Sequence, residues 1–228
     1  MHIAVIARVL GMLLMIFSFT MLSPIIVSSI YDESTSSTFL IAFAITLLFG
    51  LLFWLPAMRK KGELRTRDGF FVTVFFWLVL STFGALPLWL SDALQLSFVD
   101  SLFESVSGLT TTGATVISGL DTLPKSILFY RQQLQWLGGI GIVVIAVAIL
   151  PMLGIGGMQM YRAETPGPLK DSKLTPRIAE TANVLFKIYL TITILCALAY
   201  NLAGMSVFDA ISHSFSTVAI GGFSTHDE

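Results

Sequence analysis

Five long apolar stretches restrict this chain to folds that cross a lipid bilayer. They cover residues 3–30, 38–58, 69–90, about 127–153 and about 181–203. The hydrocarbon core of a bilayer is about 30 Å thick, and a helix needs roughly 20 apolar residues to cross it. Only 12% of the residues are charged, which is far below the usual share of a soluble domain. We therefore predict an all-α integral membrane protein.

Basic residues predict how these helices are oriented. The connection at residues 59–67 holds five Lys or Arg residues, and the connection at 158–180 holds four. Short cytoplasmic loops carry an excess of Lys and Arg, so both connections are predicted to be cytoplasmic. The alternate connections, at 31–37 and 92–131, hold no basic residue and two basic residues respectively. This pattern places the N-terminus in the cytoplasm and the polar segments on the outer side.

An internal repeat relates the two polar segments of the chain. An offset of 109 residues aligns four identical pairs, which are Asp100 with Asp209, Ser105 with Ser214, Ser107 with Ser216 and Gly113 with Gly222. The same offset aligns the apolar stretch near residue 69 with the region near residue 178. We predict a two-helix leader at 1–68, a first unit at 69–177 and a second unit at 178–228, which stops after its loop.

Each unit contains a helix that is too short to cross the bilayer. In the first unit this helix is predicted at about residues 98–108, with Asp100 near its start, where an acidic side chain suits the positive end of the helix dipole. Asp209 occupies the same position in the second unit. Such a helix enters the bilayer and stops, and the loop after it must be enclosed by protein or line a watery cavity.

Two glycine-containing loops follow the short helices, at residues 110–115 and 219–224. A dehydrated cation needs oxygen ligands in place of its water shell, and backbone carbonyls can supply a ring of them. Glycine permits the backbone torsions that such a strand requires. The loops therefore predict a cation selectivity filter, whereas either loop alone would also fit an ordinary Gly/Thr-rich surface loop.

Four separated motifs resemble one transporter family. Residues 107–115, 134–141, 161–168 and 216–225 are similar to the TrkH/TrkG branch of the Trk/Ktr/HKT cation transporters, and the resemblance covers essentially the whole chain. It implies potassium uptake across the bacterial inner membrane by four helix–pore loop–helix (M1-P-M2) units around a pseudo-fourfold pore. It also implies a homodimer and a cytoplasmic nucleotide-binding regulatory subunit of the TrkA type.

The resemblance also assigns the filter residues. It makes Gly113 and Gly222 the filter glycines, and we expect no organic cofactor besides the transported K⁺. The ion-binding carbonyls are expected at Thr111, Thr112, Ile220 and Gly221, flanked by Thr110, Ala114, Thr115, Ala219 and Phe223.

The chain departs from the family pattern in one respect. The family has four units, and this sequence reaches Glu228 directly after the second loop. Two quarters of a filter cannot encircle an ion. We therefore expect an N-terminal piece of a longer polypeptide whose remaining half supplies units three and four; the alternative is a second chain that supplies them.

Ionisable residues near the loops have two interpretations each. Glu104 and His213 occupy equivalent positions of the short helices, where they could tune the field felt by an ion. Hydrogen bonding that braces the filter is the interpretation we favour. Lys125 and Arg131 are predicted near the outer mouth, where they either bias ion entry or extend to the interface by snorkelling.

Glycines in and after the fourth stretch also have a predicted role. Gly138, Gly139 and Gly141 favour close helix packing, with a hinge as the alternative. Residues 154, 156 and 157 are glycines that follow Pro151, and they are candidates for lining an inner cavity. Four tryptophans are interpreted as interfacial or packing aromatics: Trp54, Trp77, Trp89 and Trp136.

Several function classes are not supported by the sequence. A net charge of −1 gives no basic field for nucleic acid. No phosphate-binding loop, Cys/His metal spacing or nucleophile elbow occurs, so we do not expect an enzyme. A secondary carrier built from broken helices is the main alternative, although both units run in the same direction here. A non-transporting membrane assembly subunit is the other, and it leaves the matched loops unexplained.

Overall fold

A computed structural model describes residues 3–58, 66–144 and 174–227 of the chain. The regular elements within these ranges are helices, which confirms the predicted all-α fold. They are α1 (Ile3–Thr20), α2 (Ser23–Ile30), α3 (Ser36–Trp54), α4 (Thr66–Gly84), α5 (Leu86–Trp89), α6 (Phe98–Leu109), a 3₁₀ turn (Leu120–Thr122), α7 (Lys125–Val144), α8 (Leu174–Leu202) and α9 (Val207–Ala219).

Four of the predicted spans have the length and apolar character needed to cross a bilayer within the described residues. They are Ile3–Ile30, Ser36–Trp54, Phe71–Trp89 and Ala182–Leu202. The remaining predicted span, at 127–153, is described only as far as Val144, where α7 ends. α7 is not among the four over its described residues. It carries one arginine and three glutamines at buried positions: Arg131, Gln132, Gln133 and Gln135.

Prolines interrupt the first and third spans, which the apolar pattern had predicted as continuous helices. α1 ends at Thr20, and α2 begins at Ser23 with Pro24 in its first turn. α4 ends at Gly84, and α5 begins at Leu86 with Pro87 in its first turn. Proline lacks the N–H that would continue the hydrogen-bond ladder and is tolerated only in the first turn of a helix. Each span is therefore two helices joined at a proline.

The predicted leader, which comprises α1, α2 and α3, packs against α4 and holds the start of α7. α1 and α3 cross closely at glycines, since a Cβ built on Gly11 would lie 2.7 Å from the carbonyl oxygen of Gly50. Glu33, between α2 and α3, accepts hydrogen bonds from the backbone N–H groups of Lys125 at 2.6 Å and Ser126 at 3.1 Å. These N–H groups have no partner within their own helix, so the leader caps α7 with a carboxylate.

The predicted cytoplasmic connections lie largely outside the described residues. The internal residues that the structure does not describe, 59–65 and 145–173, also include the end of the predicted span at 127–153, the motif at 161–168 and the glycines at 154, 156 and 157.

Candidate functional site

The short helices α6 and α9 begin with the same capping arrangement. Ser97 precedes α6, and its Oγ accepts a hydrogen bond from the Asp100 N–H at 3.1 Å. Ser206 precedes α9, and its Oγ accepts from the Asp209 N–H, also at 3.1 Å. Each serine hydroxyl in turn donates to the aspartate carboxylate. This reciprocal cap satisfies N–H groups that the first helical turn leaves free, so one local arrangement begins both helices.

The same helices also end alike. Thr111 and Ile220, which are 109 residues apart, both have a φ of +56°. The next N–H of each loop reaches back to the helix: that of Thr112 bonds the Ser107 carbonyl at 2.9 Å, and that of Gly221 bonds the Ser216 carbonyl at 2.8 Å. This is the Schellman arrangement for ending a helix. A β-branched residue at positive φ is strained by about 1–2 kcal/mol, and such strain occurs mainly at functional sites.

The predicted filter glycines adopt matching left-handed torsions. The φ angle is +77° at Gly113 and +82° at Gly222, conformations that side chains of L-residues rarely adopt. A Cβ built on Gly113 would overlap the carbonyl oxygen of Gly221 and would lie 3.2 Å from its carbonyl carbon. The first loop therefore lies directly against the second, and only glycine fits at the point of contact.

A buried ion pair lies behind the loops. The Arg131 Nε donates to the Glu104 Oε1 at 2.8 Å, and the two side chains are 1% and 0% exposed. The same carboxylate accepts from the Thr115 hydroxyl at 2.9 Å and from the Val116 N–H at 3.2 Å. Glu104 thus braces the segment that follows Gly113, as the favoured interpretation predicted.

Arg131 also reaches the second loop. Its Nη2 donates to the Thr115 hydroxyl at 3.0 Å, and its Nη1 donates to the Ser224 carbonyl at 3.2 Å. The guanidinium carbon lies 4.5 Å from the centre of the Phe223 ring. The interpretation that Arg131 extends to the interface was wrong, because its side chain is buried between the loops. Its influence on ion entry stays a prediction.

Lys125 has a different environment from Arg131 on the same helix. Its ammonium lies 4.0 Å from the centre of the Tyr31 ring and 5.3 Å from that of Phe208. A cation over an aromatic face is stabilised by the ring quadrupole. Lys125 therefore joins the leader to the start of α9, away from the loops.

Gln135 is a site residue that the sequence interpretation missed. It is fully buried, and its Oε1 accepts a hydrogen bond from the Phe223 N–H at 3.1 Å. A Cβ built on Gly221 would overlap the Gln135 amide, so the glutamine lies against the second loop. The available signal was spacing, since Arg131, Gln135 and Gly138 recur at i, i+4 and i+7 and so share one face of α7.

His213 braces the second loop by a different chain of hydrogen bonds. Its Nε2 lies 2.9 Å from the Thr225 hydroxyl, which donates to the Asp209 Oδ1 at 2.9 Å. The residue after Thr225, His226, bridges two carboxylates, those of Asp121 and Asp209. The hydrogen bond to Asp121, together with the charge of Asp209, raises the pKa of His226 above its ordinary value although partial burial opposes this.

The glycines of α7 allow the helix to approach both short helices. A Cβ on Gly138 would overlap the carbonyl oxygen of Leu109, the last residue of α6. A Cβ on Gly139 would overlap the Tyr189 hydroxyl of α8 and lie 3.4 Å from the Ala219 Cα of α9. Close packing is thus confirmed at these two positions, whereas Gly141 has only ordinary contacts.

Known sequences provide a family match over most of the chain. The model of the TrkH family, described as cation transport protein, matches residues 35–228. The Trk system potassium uptake protein TrkH of Halomonas elongata is 62% identical over 227 residues, and that of Escherichia coli is 56% identical over 227 residues. The Trk system potassium uptake protein TrkG of Escherichia coli is 48% identical.

A solved structure has the same fold. The crystal structure of the potassium transporter TrkH from Vibrio parahaemolyticus matches all of this chain with a TM-score of 0.87 and 55% sequence identity. The match covers 45% of that structure, and the Halomonas elongata alignment covers 47% of that relative. The chain therefore spans about half the length of the relatives that it matches.

Proposed function

The chain belongs to the TrkH family of cation transport proteins, and we propose that its two loops form two quarters of the selectivity filter of a potassium uptake protein. The carbonyls of Thr111, Thr112, Ile220 and Gly221 face the ion in this proposal. K⁺ is then the transported substrate, and it exchanges its water shell for backbone oxygens.

One observation carries this proposal. The two loops share positive φ angles at two equivalent positions, Thr111 with Ile220 and Gly113 with Gly222, and they touch where Gly113 meets Gly221. An ion that is coordinated by several loops needs each loop to present its carbonyls in the same way toward one axis. Repeated strained torsions in adjacent loops supply that repetition, which two unrelated surface loops have no reason to share.

The short helices support a cation at this position. α6 and α9 have their capped N-terminal ends away from the loops and their C-terminal ends at the loops. The C-terminal end of a helix carries a partial negative charge of about half an electron. Both helices therefore direct a favourable field toward a cation that lies at the loops.

The same proposal extends to the composition, location and assembly of the complete transporter. This chain supplies the first unit and most of the second, and two further helix–pore loop–helix units close the ring. The protein lies in the bacterial inner membrane with its N-terminus in the cytoplasm, as the basic connections indicate. It assembles as a homodimer and binds a cytoplasmic nucleotide-binding subunit of the TrkA type.

A chimera tests the proposal. This chain replaces the matching segment of the Halomonas elongata protein, and the chimera is expressed in cells that lack their own potassium uptake proteins but keep the nucleotide-binding subunit. Rubidium uptake is measured with increasing sodium as competitor. We expect uptake by the chimera, and its loss in a Gly113→Asp variant that reaches the membrane in equal amount. Equal uptake by this variant would place the ion path elsewhere.

A further inference from the structure

We propose that Arg131 is a positioning residue for ion selectivity, because it fixes the distance between the first and second filter loops. This inference rests on the proposed function. Arg131 touches neither the ion nor the predicted ion-facing carbonyls. It acts through the residues that follow the two filter glycines, Thr115 in the first loop and Ser224 in the second.

The geometry of the guanidinium group supports this role. Nε, Nη1 and Nη2 of Arg131 donate to three different partners: the Glu104 carboxylate on α6, the Ser224 carbonyl and the Thr115 hydroxyl. The donors of arginine have a rigid planar arrangement. Three fixed bonds from one plane therefore set the second loop relative to the first. A lysine ammonium has one nitrogen on a flexible stem and cannot reach all three partners in this way.

The loops that Arg131 joins are 109 residues apart in sequence and belong to different units. Thr115 and Ser224 are equivalent positions of the repeat, each two residues after its filter glycine. The ring of carbonyls distinguishes ions by its size and by the field of its dipoles. A small change in the spacing between two of its quarters therefore changes the preference for one cation over another before it prevents permeation.

The charge of Arg131 is neutralised by Glu104. Its positioning role therefore differs from a role in tuning the electric field at the ion. Arg131 would repel a cation if its charge were unpaired, but the Glu104 oxygen lies 2.8 Å from its Nε. A charged pair buried at membrane depth needs such neutralisation to be tolerated. Gln135 supports the same loop with an uncharged group, through its bond to the Phe223 N–H. The structure thus assigns positioning, and not electrostatic attraction, to this face of α7.

Selectivity of the chimera, measured as the sodium concentration that halves rubidium uptake, tests the inference. Arg131→Lys keeps the charge and loses the planar donors, and we expect its preference for rubidium over sodium to fall about threefold or more. Lys125→Gln is the matched control, since it removes a basic group from the same helix where it contacts Tyr31 and Phe208 and not the loops. We expect its preference to stay at the unsubstituted value.

Failure of the positioning role and failure of the proposed function give different results. A uniform fall in uptake that follows the amount of protein, with the preference unchanged, would show that Arg131 only stabilises the fold. If Arg131→Lys does not reach the membrane, the double variant Glu104→Gln/Arg131→Gln, which buries no unpaired charge, replaces it under the same criterion. A chimera without any rubidium uptake would instead contradict the proposed function, so the two failures are distinguishable.

Discussion

The first and second loops have the same backbone but are braced by different chemistry. Their torsions agree within a few degrees, with +56° at Thr111 and Ile220 and +77° and +82° at the glycines. Behind them, a carboxylate at position 104 pairs with an arginine, whereas an imidazole at the equivalent position 213 bonds a threonine. The comparison separates two requirements. Helix caps and glycines determine the loop conformation, while neighbouring helices determine how firmly each loop is held.

The bracing also depends on one helix that serves both loops. α7 carries the arginine that reaches Thr115 and Ser224, and its glycines allow it to approach the ends of α6 and α9. The first loop is therefore held from its own unit, whereas the second loop is held both by His213 of its own short helix and by Arg131 and Gln135 of α7.

Substitution of Gly113 should have the largest effect. Gly113→Ala forces a methyl group into the Gly221 carbonyl and places alanine at a φ of +77°. We expect the chimera to lose rubidium uptake. Gly119→Ala is the matched control, because Gly119 also has a positive φ, +73°, but its added Cβ would lie 3.6 Å from the nearest atom of Thr122. Similar losses in both variants would mean that backbone strain, and not contact between the loops, limits transport.

Glutamine substitutions of Glu104 and His213 should distinguish the two bracing arrangements. Glu104→Gln leaves Arg131 buried without its counterion, which costs about 3–5 kcal/mol of folding free energy. His213→Gln keeps a group that can bond the Thr225 hydroxyl and should cost about 1 kcal/mol. The midpoints of thermal unfolding in detergent measure the difference. If the two variants unfold at the same temperature, the ion pair contributes no more than a neutral hydrogen bond.

The N-terminal caps should respond equally in the two units. Ser97→Ala and Ser206→Ala each remove one side-chain bond to an aspartate N–H, and each should lower the free energy of unfolding by about 1 kcal/mol. Hydrogen exchange of the first turns of α6 and α9 reports the loss locally. Ser214→Ala on α9 provides a control, since its hydroxyl bonds the Ile211 carbonyl within the helix and caps nothing. A loss in only one unit would show that the caps are not equivalent.

The repeat could be predicted because its determinants are local in sequence. Asp100 and Asp209 indicated where the short helices start, and the glycines indicated where the loops turn. The predicted helix at about 98–108 agrees with the observed Phe98–Leu109. Caps and glycine torsions depend on residues within one or two helical turns, so a one-dimensional pattern contains them.

The bracing could not be predicted with the same certainty because it depends on contacts between distant segments. Arg131 lies in the first third of α7, near the predicted outer side, and such a position also fits a side chain extending to the interface. Its burial follows from the packing of α7 between both loops, which involves partners 27 and 93 residues away. Glu104 was the usable signal, since a carboxylate buried at membrane depth requires a cationic partner nearby.

The smallest expected effect concerns pH and the contact between residues 119–122 and the start of α9. His226 joins Asp121, after the first loop, to Asp209 at the start of α9. Its pKa is raised by these carboxylates, so the folded state binds the proton more tightly than the unfolded chain does. This contribution is complete below the ordinary pKa of 6.5 and is lost as pH rises through the raised pKa. Because His226 is half exposed, it should amount to less than about 1 kcal/mol.

A variant comparison isolates the contribution of His226 from its titratable neighbours. Burial alone would raise the pKa of Asp209, but hydrogen bonds from Ser206 and Thr225 and the charge of His226 lower it, so this carboxylate stays ionised throughout. His213 also interacts with both groups, and a His213→Gln background removes its titration. In that background, hydrogen exchange at residues 119–122 should be slower with His226 than with His226→Gln at pH 6, and the difference should shrink as pH rises. A difference that persists at alkaline pH would mean that neutral hydrogen bonds, and not the charged imidazole, hold residues 119–122 against the start of α9.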